Sequence, residues 1–449
     1  MGRLFGTDGV RGEANTELTA ALAFKLGLAG AKVLATKSTG GGKPCVLLGA
    51  DTRISSDMLV AALTAGICSA GVNVYNAGII PAPTVAYLVR KHGMSAGVVV
   101  SASHNPFGDN GIKFYSGKGY KLTDETEDEI EALVSKIDDI DLPTGPDIGR
   151  VLTDIDGVDD YVDFLKDCVP GVSLKGLKIA LDCANGATYE VAPRVFKELG
   201  ADISIIANNP DGININAGCG STHIEKLVSH VRDGNFDLAF AFDGDGDRCF
   251  AVDETGEVVD GDMLMTIIGA YWKSKGVLAK DTIVVTVMSN LGFFKALEAQ
   301  NIKAEQTKVG DRYVLEKMVE GGFVLGGEQS GHIICLNHHT TGDGVLAAIL
   351  TAAIVVAEGK KLSALNTMVL MPQALVNAKV KNDAKARVLA DETVVAEIAA
   401  LEQRFAGNGR VLIRPSGTEP VVRVMIEGEN IDEITAEAKR IAALLESRS

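Results

Sequence analysis

The chain has 449 residues, and at roughly 100–200 residues per domain this length predicts three or four domains. Its net charge of −16 argues against non-specific binding to nucleic acid or to acidic membranes, because both depend on a basic surface. Seven cysteines without a C-x-x-C pair, and a longest apolar run (345–357) shorter than the about 20 residues of a membrane span, predict a cytoplasmic protein with reduced thiols.

Three segments of the chain repeat one plan, in which an apolar strand is followed by an amphipathic helix and a second strand. The strand, helix and strand fall at 46–48, 58–67 and 72–74, then at 179–181, 191–199 and 203–206, and finally at 283–287, 293–299 and 302 onward. Each segment is predicted to be a βαβ unit with parallel strands and a right-handed crossover.

The C-terminal part departs from this plan and predicts an α+β domain. Its strands are expected at 376–380, 411–413 and 421–426, and its helices at 394–405 and around residues 434–445. The predicted fold is therefore α/β, with three related mixed α/β domains built on βαβ units, a C-terminal α+β domain, and a central cleft among the four. The expected boundaries are 1–150, 151–255, 256–370 and 371–449. Such clefts favour small ligands.

A strand at 98–100 leads directly into Ser101, Ser103, His104 and Asn105. Ligands of open α/β sheets gather beyond the carboxyl ends of buried parallel strands, so Ser103 is expected at the mouth of a cleft. A tight turn is predicted at 109–111. From these residues alone, an ordinary strand-to-loop turn remains the alternative.

The carboxylates of Asp243, Asp245 and Asp247 alternate with glycines after an apolar strand. The glycines let the backbone curl so that the oxygens converge, and Mg²⁺ is the natural cation for so few carboxylates beside a phosphate. A calcium EF-hand loop is disfavoured, because Arg248 stands where that loop requires glycine and a strand is predicted at 249–252. A solvated turn is the remaining alternative.

Two further loops carry groups suited to a phosphorylated sugar. Residues 414–420 and Arg423 combine two arginines with hydroxyls and a glycine, which suits phosphate, although a surface Pro-Gly loop is the alternative. Residues 326–332 place the Glu328 carboxylate and the Gln329 amide among glycines, which suits vicinal hydroxyls, although a common Gly-rich loop with a structural His332 is the alternative. The polar loops at 5–12 and 308–312 are equally compatible with simple turns.

Together, the motifs S-A-S-H-N-P, D-G-D-G-D-R, G-E-Q-S-G-H and R-P-S-G-T-E-P occur in the order found in the α-D-phosphohexomutase superfamily, which the chain resembles over essentially its whole length. Within that superfamily, F-G-T-D-G-V-R-G at 5–12 and the amide of Gln329 are similar to the bacterial branch that acts on amino sugars. Phosphoglucomutases and phosphomannomutases usually carry Met or an acid at the position of Gln329.

The resemblance implies an isomerase that interconverts glucosamine 6-phosphate and glucosamine 1-phosphate, feeding UDP-N-acetylglucosamine and cell-wall synthesis. Phosphorylated Ser103 would donate its phosphoryl group to O1, forming glucosamine 1,6-bisphosphate, and would receive the 6-phosphoryl group back. The resemblance also implies one Mg²⁺ per active site, a phosphosugar as the small-molecule partner, and a homodimer. The alternatives are a phosphoglucomutase/phosphomannomutase and a non-catalytic phosphosugar-binding protein.

The resemblance also assigns site residues. Ser101 is the main rival of Ser103 as phosphoryl carrier. The implied catalytic residues are Ser103, Lys113, Arg11 and His332; the substrate-binding residues are Glu328, Ser330, Arg414, Ser416, Gly417, Thr418 and Arg423; and the metal ligands are the Ser103 phosphoryl group, Asp243, Asp245 and Asp247.

Overall fold

A computed structural model of the chain describes residues 4–6, 8–37, 42–153, 155–416 and 419–449. The chain divides into two compact units. The first comprises Met1–Met288 and Ile302–Thr367, and the second comprises Ser289–Asn301 and Met368–Ser449. Three sheets lie in the first unit and one in the second.

The first sheet brings the carboxyl ends of two parallel strands together. Its strands are β1 (Val10–Glu13), β2 (Cys45–Ala50), β3 (Asn73–Ile79), β4 (Ala96–Val100), β5 (Asp109–Ser116) and β6 (Val151–Leu152), in the order β1-β5-β4-β2-β3-β6. β2 is parallel to β3 and β4, whereas β5 is antiparallel to β1 and β4. The residues that follow β2 and β4 therefore lie side by side.

Helices cover both faces of the first sheet. They are α1 (Ala20–Thr36), α2 (Ser55–Ser69), α3 (Ala82–Lys91) and α4 (Asp124–Val134). Val46 and Leu48 of β2 join the core formed with α1, α2 and α4, while Leu47 joins the core formed with α3. β2 and β3 are parallel and α2 connects them, which confirms the first predicted βαβ unit. Because helices cover both faces of the sheet, β4 is buried at all five residues.

The turn predicted at 109–111 is wrong, because these residues begin β5. Asp109, Asn110 and Gly111 pair with residues 11–13 of β1. A Cβ atom on Gly111 would lie 2.5 Å from the carbonyl oxygen of Ser101, so glycine is needed there for close approach of two backbones, not for a turn. The antiparallel partner β1, which is distant in sequence, decides this local structure.

The second sheet carries the aspartate loop between two antiparallel strands. Its strands are β7 (Lys178–Asp182), β8 (Asp202–Ile206), β9 (Leu238–Phe242), β10 (Cys249–Asp253) and β11 (Val258–Val259), in the order β11-β10-β9-β7-β8. Its helices are α5 (Gly157–Asp167), α6 (Val191–Glu198) and α7 (Glu225–Asp233). β7 and β8 are parallel, which confirms the second βαβ unit, and residues 243–248 connect β9 to β10.

The third sheet carries the predicted sugar loop in a hairpin. Its strands are β12 (Thr282–Thr286), β13 (Lys303–Thr307), β14 (Leu325–Gly327) and β15 (Ile333–Cys335), and its helices are α8 (Gly261–Ser274), α10 (Asp311–Gly321), α11 (Gly344–Glu358) and α12 (Leu362–Leu365). β12 and β13 are parallel, as expected for the third βαβ unit; the helix between them, α9 (Leu291–Ala299), belongs to the second unit. Helix α11 contains the long apolar run at 345–357, and its residues 344–355 are buried. No helix in the described residues is both long and apolar enough to cross a bilayer.

The second unit contains the C-terminal α+β fold that the sequence predicts. Strands β16 (Gln373–Lys379), β17 (Arg410–Pro415) and β18 (Val421–Glu427) form an antiparallel sheet in the order β16-β18-β17. Helices α13 (Lys385–Leu389), α14 (Glu392–Phe405) and α15 (Ile431–Ser447) accompany it, and Ile434, Ala438, Ile441 and Leu445 of α15 enter its core. The fold class is thus three mixed α/β domains followed by an α+β domain.

Short 3-10 helices occupy Ile137–Asp139, Gly145–Asp147, Ala187–Tyr189 and Ala279–Asp281. The domain boundaries at residues 150, 255 and 370 stay predictions. Strand β6, just beyond the first of them, pairs with β3 and so extends the first sheet.

Candidate active site

Ser103 lies in the loop after β4 with its hydroxyl directed at the aspartate loop. The residue is buried and adopts a left-handed backbone with φ of 52°. Its Oγ donates a hydrogen bond to Oδ2 of Asp243 at 2.5 Å. The rival Ser101 is fully buried, its Oγ donates to Oδ2 of Asp51 at 2.5 Å, and the same Oγ accepts the Ser103 N–H at 2.9 Å. Ser101 therefore supports the loop, and Ser103 faces the carboxylates.

The three aspartates of residues 243–247 converge as the sequence predicts. One carboxylate oxygen from each of Asp243, Asp245 and Asp247 lies within 4.8 Å of the other two, and all three residues are buried. Oδ1 of Asp245 and Oδ1 of Asp247 have no hydrogen-bond partner among the described residues. Buried carboxylate oxygens without partners are costly unless a cation or donor meets them, and hard oxygen donors suit Mg²⁺. The residues present therefore fit a divalent cation.

The pKa values of Asp243 and Asp247 are shifted in opposite directions. Burial, and then the Asp247 and Asp245 charges, raise the pKa of Asp243 well above its usual value. Burial also works to raise the pKa of Asp247. The positive charge of His332 and its hydrogen bond to Asp247 outweigh this effect, so the pKa of Asp247 is lowered. A divalent cation would relieve the repulsion that raises the pKa of Asp243.

Two side chains that the sequence analysis did not single out hold the backbone of the Ser103 loop. The guanidinium of Arg53 is buried, pairs with Asp51 at 2.9 Å, and donates to the carbonyls of Ser103 (3.0 Å), Asn105 (2.8 Å) and Pro106. Nδ2 of Asn216, from the second sheet's domain, donates to the Ser103 carbonyl at 2.9 Å. The unusual backbone of Ser103 is thus held from two sides.

Lys113 lies on β5 next to the aspartate loop. Its Nζ contacts Oδ2 of Asp245 at 2.8 Å and Oδ2 of Asp8 at 2.9 Å. Burial works to lower the pKa of Lys113, but the Asp245 and Asp8 carboxylates outweigh it and raise that pKa above its usual value. Arg11 also pairs with Asp8 and directs Nη1 at the Ala102 carbonyl at 3.4 Å. Lys113 and Arg11 therefore share one carboxylate beside the Ser103 loop.

His332 is buried on the third sheet's hairpin and faces two carboxylates. Its Nδ1 lies 3.4 Å from Oδ2 of Asp247, and its Nε2 lies 3.4 Å from Oδ2 of Asp311. Burial disfavours the imidazolium, yet Asp247 and Asp311 raise the pKa of His332 above its usual value. The predicted catalytic residues Ser103, Lys113, Arg11 and His332 therefore gather around the aspartate loop.

Arg248 and His104 form a second basic pair at the aspartate loop. Nη1 of Arg248 lies 3.1 Å from Nδ1 of His104. Burial, followed by the Arg248 and Arg11 charges, lowers the pKa of His104 to about 4, so its imidazole is neutral at pH 7 and can accept this hydrogen bond. Neither residue was predicted to act in the site.

The sugar-loop candidates lie on the hairpin between β14 and β15. Glu328 and Ser330 are partly exposed, and Oε1 of Glu328 accepts the Gly310 N–H at 3.2 Å. The intervening Gln329 donates from Nε2 to Oδ2 of Asp260 at 3.1 Å. Asp260 caps the N-terminus of α8, so the amide of Gln329 fastens the loop to that helix.

The phosphate-loop candidates belong to the second unit. Arg414 and Arg423 are neighbours on β17 and β18, and Arg423 pairs with Glu419 at 2.7 Å. Burial, and then the Arg423 charge, lower the pKa of Arg414. The Ser416 carbonyl accepts a hydrogen bond from Nζ of Lys385 at 2.6 Å. Lys385 is a further cation that the sequence did not identify as part of this loop. The predicted ligands Gly417 and Thr418 lie outside the described residues.

Sequence signals existed for some of the missed residues. Asp8 and Asp311 stand in the polar loops 5–12 and 308–312, whose turn-like composition left their role open. Arg53 follows β2, the parallel neighbour of β4, so strand adjacency would have placed it near Ser103. Asn216 stands in no local pattern, and only the tertiary structure brings it to the site.

Comparison with protein families matches nearly all of the chain to the four parts of one family. Residues 2–141, 159–256 and 260–370 match the descriptions "Phosphoglucomutase/phosphomannomutase, alpha/beta/alpha domain I", "domain II" and "domain III". Residues 375–444 match "Phosphoglucomutase/phosphomannomutase, C-terminal domain". The four matches follow the order of the four sheets.

Individual relatives agree with this assignment. A protein of Clostridium acetobutylicum named "Phosphoglucosamine mutase" is 55% identical over 451 residues, covering 100% of both chains. A phosphoglucomutase/phosphomannomutase family protein of Burkholderia thailandensis has a similar structure, with a TM-score of 0.82 and 22% identity over 99% of this chain and 97% of its own. The N-acetylphosphoglucosamine mutase of Aspergillus fumigatus, in complex with GlcNAc-6P and magnesium, has a TM-score of 0.71 at 19% identity over 99% of this chain and 96% of its own.

Proposed function

The chain belongs to the phosphoglucomutase/phosphomannomutase family, and from that premise we propose that it is an isomerase interconverting glucosamine 6-phosphate and glucosamine 1-phosphate. The observation that carries the proposal is the contact between Ser103 Oγ and Asp243, beside two unpartnered carboxylate oxygens of the same loop. Phosphorylated Ser103 is the proposed phosphoryl carrier, and glucosamine 1,6-bisphosphate is the proposed intermediate and activator.

In the proposed reaction, the bond between phosphorus and Ser103 Oγ breaks as a bond from phosphorus to O1 of glucosamine 6-phosphate forms. The proton of the sugar hydroxyl is returned to Ser103 Oγ. Lys113, Arg11 and His332 are the proposed groups that carry this proton or balance the developing charge. The bisphosphate then turns over in the cleft, and the bond between phosphorus and O6 breaks as phosphorus bonds to Ser103 Oγ. The Ser103 hydroxyl proton passes to O6, and glucosamine 1-phosphate is released.

Asp243, Asp245 and Asp247 are the proposed ligands of one Mg²⁺, together with the phosphoryl oxygen on Ser103. Bound there, the cation would neutralise charge on the phosphoryl group. The chain's own contribution is positional: Arg53 and Asn216 hold the Ser103 carbonyl, which fixes where the hydroxyl points.

Substrate binding is proposed to involve two groups of residues. Glu328 and Ser330, partly exposed on the third-sheet hairpin, are the proposed ligands of the sugar hydroxyls. Arg414, Ser416, Gly417, Thr418 and Arg423 are the proposed ligands of the phosphate that is not being transferred. The amino-sugar preference is supported by the 55% identical relative and by the amide at Gln329.

The substrate is tested with a panel of glucosamine, glucose and mannose phosphates, each assayed with its own bisphosphate. We expect the highest kcat/KM for the glucosamine phosphates. A higher value for glucose 1-phosphate would refute the amino-sugar assignment and favour a phosphoglucomutase/phosphomannomutase. No turnover of any panel member would favour a phosphosugar-binding protein.

The phosphoryl carrier is tested with Ser103→Ala and the matched control Ser101→Ala. Intact-mass measurement is expected to show that Ser103→Ala loses a phosphate-sized mass and all turnover. Ser101→Ala is expected to keep the phosphorylated form. The reverse pattern would move the phosphoryl group to Ser101.

We also propose that the protein is a cytoplasmic homodimer. The similarity to bacterial amino-sugar members of the superfamily supports the dimer, and seven cysteines without a C-x-x-C pair fit a reducing compartment. Light scattering coupled to gel filtration gives the mass directly, and a monomer mass would refute the dimer. Cell fractionation tests the location.

A further inference from the structure

Lys121 lies between two carboxylates that come from different domains of the first unit. Its Nζ contacts Oδ1 of Asp8 at 2.6 Å and Oδ2 of Asp311 at 2.6 Å. All three side chains are largely buried, with exposed fractions of 17%, 23% and 19% respectively. Asp8 belongs to the first sheet's domain, whereas Asp311 is the first residue of α10 in the third.

Each of these carboxylates has a second contact, which leads to the candidate acid/base residues. Asp8 pairs with Lys113 at 2.9 Å and with Arg11. Asp311 lies 3.4 Å from Nε2 of His332. Lys121 is therefore one carboxylate away from every candidate acid/base residue, without lying against the aspartate loop that would hold the metal.

We infer that Lys121 is a positioning residue, whose ammonium fixes Lys113 and Arg11 through Asp8 and fixes His332 through Asp311. This inference rests on the proposed phosphoryl transfer. The physical reason is that Asp8 and Asp311 both contact the same ammonium group. Without the cation between them, two largely buried carboxylates would repel each other and move the side chains they hold.

A neighbouring ion pair provides a matched control. Arg312, next to Asp311 on α10, contacts Oδ1 of Asp124 at 2.6 Å, and Asp124 is the first residue of α4. This pair thus joins the same two domains, three residues along the chain from Lys121. Arg312 contacts Asp124 and Glu316, and neither of these belongs to the candidate acid/base residues Lys113, Arg11 and His332. If Lys121 served only to hold the two domains together, Lys121→Met and Arg312→Met would change kcat by similar amounts.

The test compares Lys121→Met, Asp311→Asn and the control Arg312→Met in the full chain with Ser103 phosphorylated. Misplacing a catalytic group by about 1 Å can cost about 100-fold, so we expect kcat of Lys121→Met to fall at least about tenfold with KM changed less than about threefold. Asp311→Asn keeps the contact between Lys121 and Asp8, and its kcat is expected to fall at least about fivefold. Arg312→Met is expected to stay within about twofold of the wild type in both constants.

Retention of kcat within about threefold in both Lys121→Met and Asp311→Asn would overturn the inference. An equal fall in kcat in Arg312→Met would overturn it as well, and so would a change in KM without a change in kcat. Either result is expected of an ion pair that only holds the domains together. If Lys121→Met does not fold, Asp311→Asn decides. If the wild-type chain turns over only glucose or mannose phosphates, the proposed substrate is refuted, but kcat of the three variants can still be compared. If the chain is inactive on the whole panel, both the proposed function and the role of Lys121 are overturned.

Discussion

Replacing Arg53 by Met should release the Ser103 loop. The guanidinium of Arg53 has no solvent exposure, and the three backbone carbonyls it binds belong to Ser103, Asn105 and Pro106. Methionine occupies similar volume but donates no hydrogen bond. The variant therefore removes the donors and leaves the acceptors in place.

The cost follows from the partner that remains. Asp51 would keep hydrogen bonds from Ser101 Oγ and from the backbone N–H of residue 53, but it would lose its buried cation. Removing one member of a buried ion pair typically costs about 3–5 kcal/mol. Since about 1.4 kcal/mol is tenfold in an equilibrium, local opening of the loop should become about 100-fold to 4,000-fold more frequent.

Hydrogen exchange measures this opening directly. The N–H groups of Ser103 and Asn105 are hydrogen-bonded within the loop, so a peptide covering residues 101–110 should exchange faster by the factor above. The control is Arg232→Met, which removes an exposed ion pair with Glu257. It should change the free energy of local opening at residues 101–110 by less than about 0.5 kcal/mol. Unchanged exchange at 101–110 in Arg53→Met would refute the role assigned to Arg53.

Two further predictions concern backbone approach and buried charge. A Cβ on Gly244 would lie 2.4 Å from the Ser103 carbonyl oxygen, whereas a Cβ on Gly108 would meet nothing within 4 Å. Gly244→Ala should therefore lower kcat about 100-fold, and Gly108→Ala should leave kcat unchanged. Equal activities of the two variants would contradict this reasoning. Burial raises the pKa of Asp343 to about 6 despite hydrogen bonds from the Leu346 N–H and the Tyr161 hydroxyl. The buried charge therefore costs stability in full above about pH 6, and this cost declines as the pH falls and vanishes below the usual carboxyl pKa of 3.8. Asp343→Asn should therefore raise the melting temperature more at pH 7.5 than at pH 4.5, where part of the cost remains. A shift of equal size at both values would count against the buried charge.

Much of the fold could be predicted because its signals are local. The three βαβ units follow from apolar runs of strand length, amphipathic helices and stop residues such as Gly200, all within about 35 residues of one another. The C-terminal strands and the apolar face of α15 are local in the same way. The failure at 109–111 has the opposite cause, because Asn110 and Gly111 have turn-forming composition but pair with β1, which is about 100 residues away in sequence.

The candidate site shows the same division. Ser103 and the three aspartates were predictable because each motif is short and follows a buried strand, so strand geometry places its side chains at the sheet edge. Asn216 and Lys121 carry no comparable signal, and Arg53 is marked only by its position after β2, the parallel neighbour of β4. Each is a single polar residue whose role depends on the backbone or carboxylate that another segment brings beside it.

By itself, the sequence determined the order of the elements, the chemistry of each loop and the family, because these depend on residue type and short spacing. Only the tertiary structure decided that the Ser101 hydroxyl donates its hydrogen bond to Asp51, whereas the Ser103 hydroxyl donates to Asp243. It also decided that Lys121 lies between Asp8 and Asp311. The physical reason is that hydrogen bonds and ion pairs act over about 3 Å, and the partners here lie between 50 and 190 residues apart in the chain.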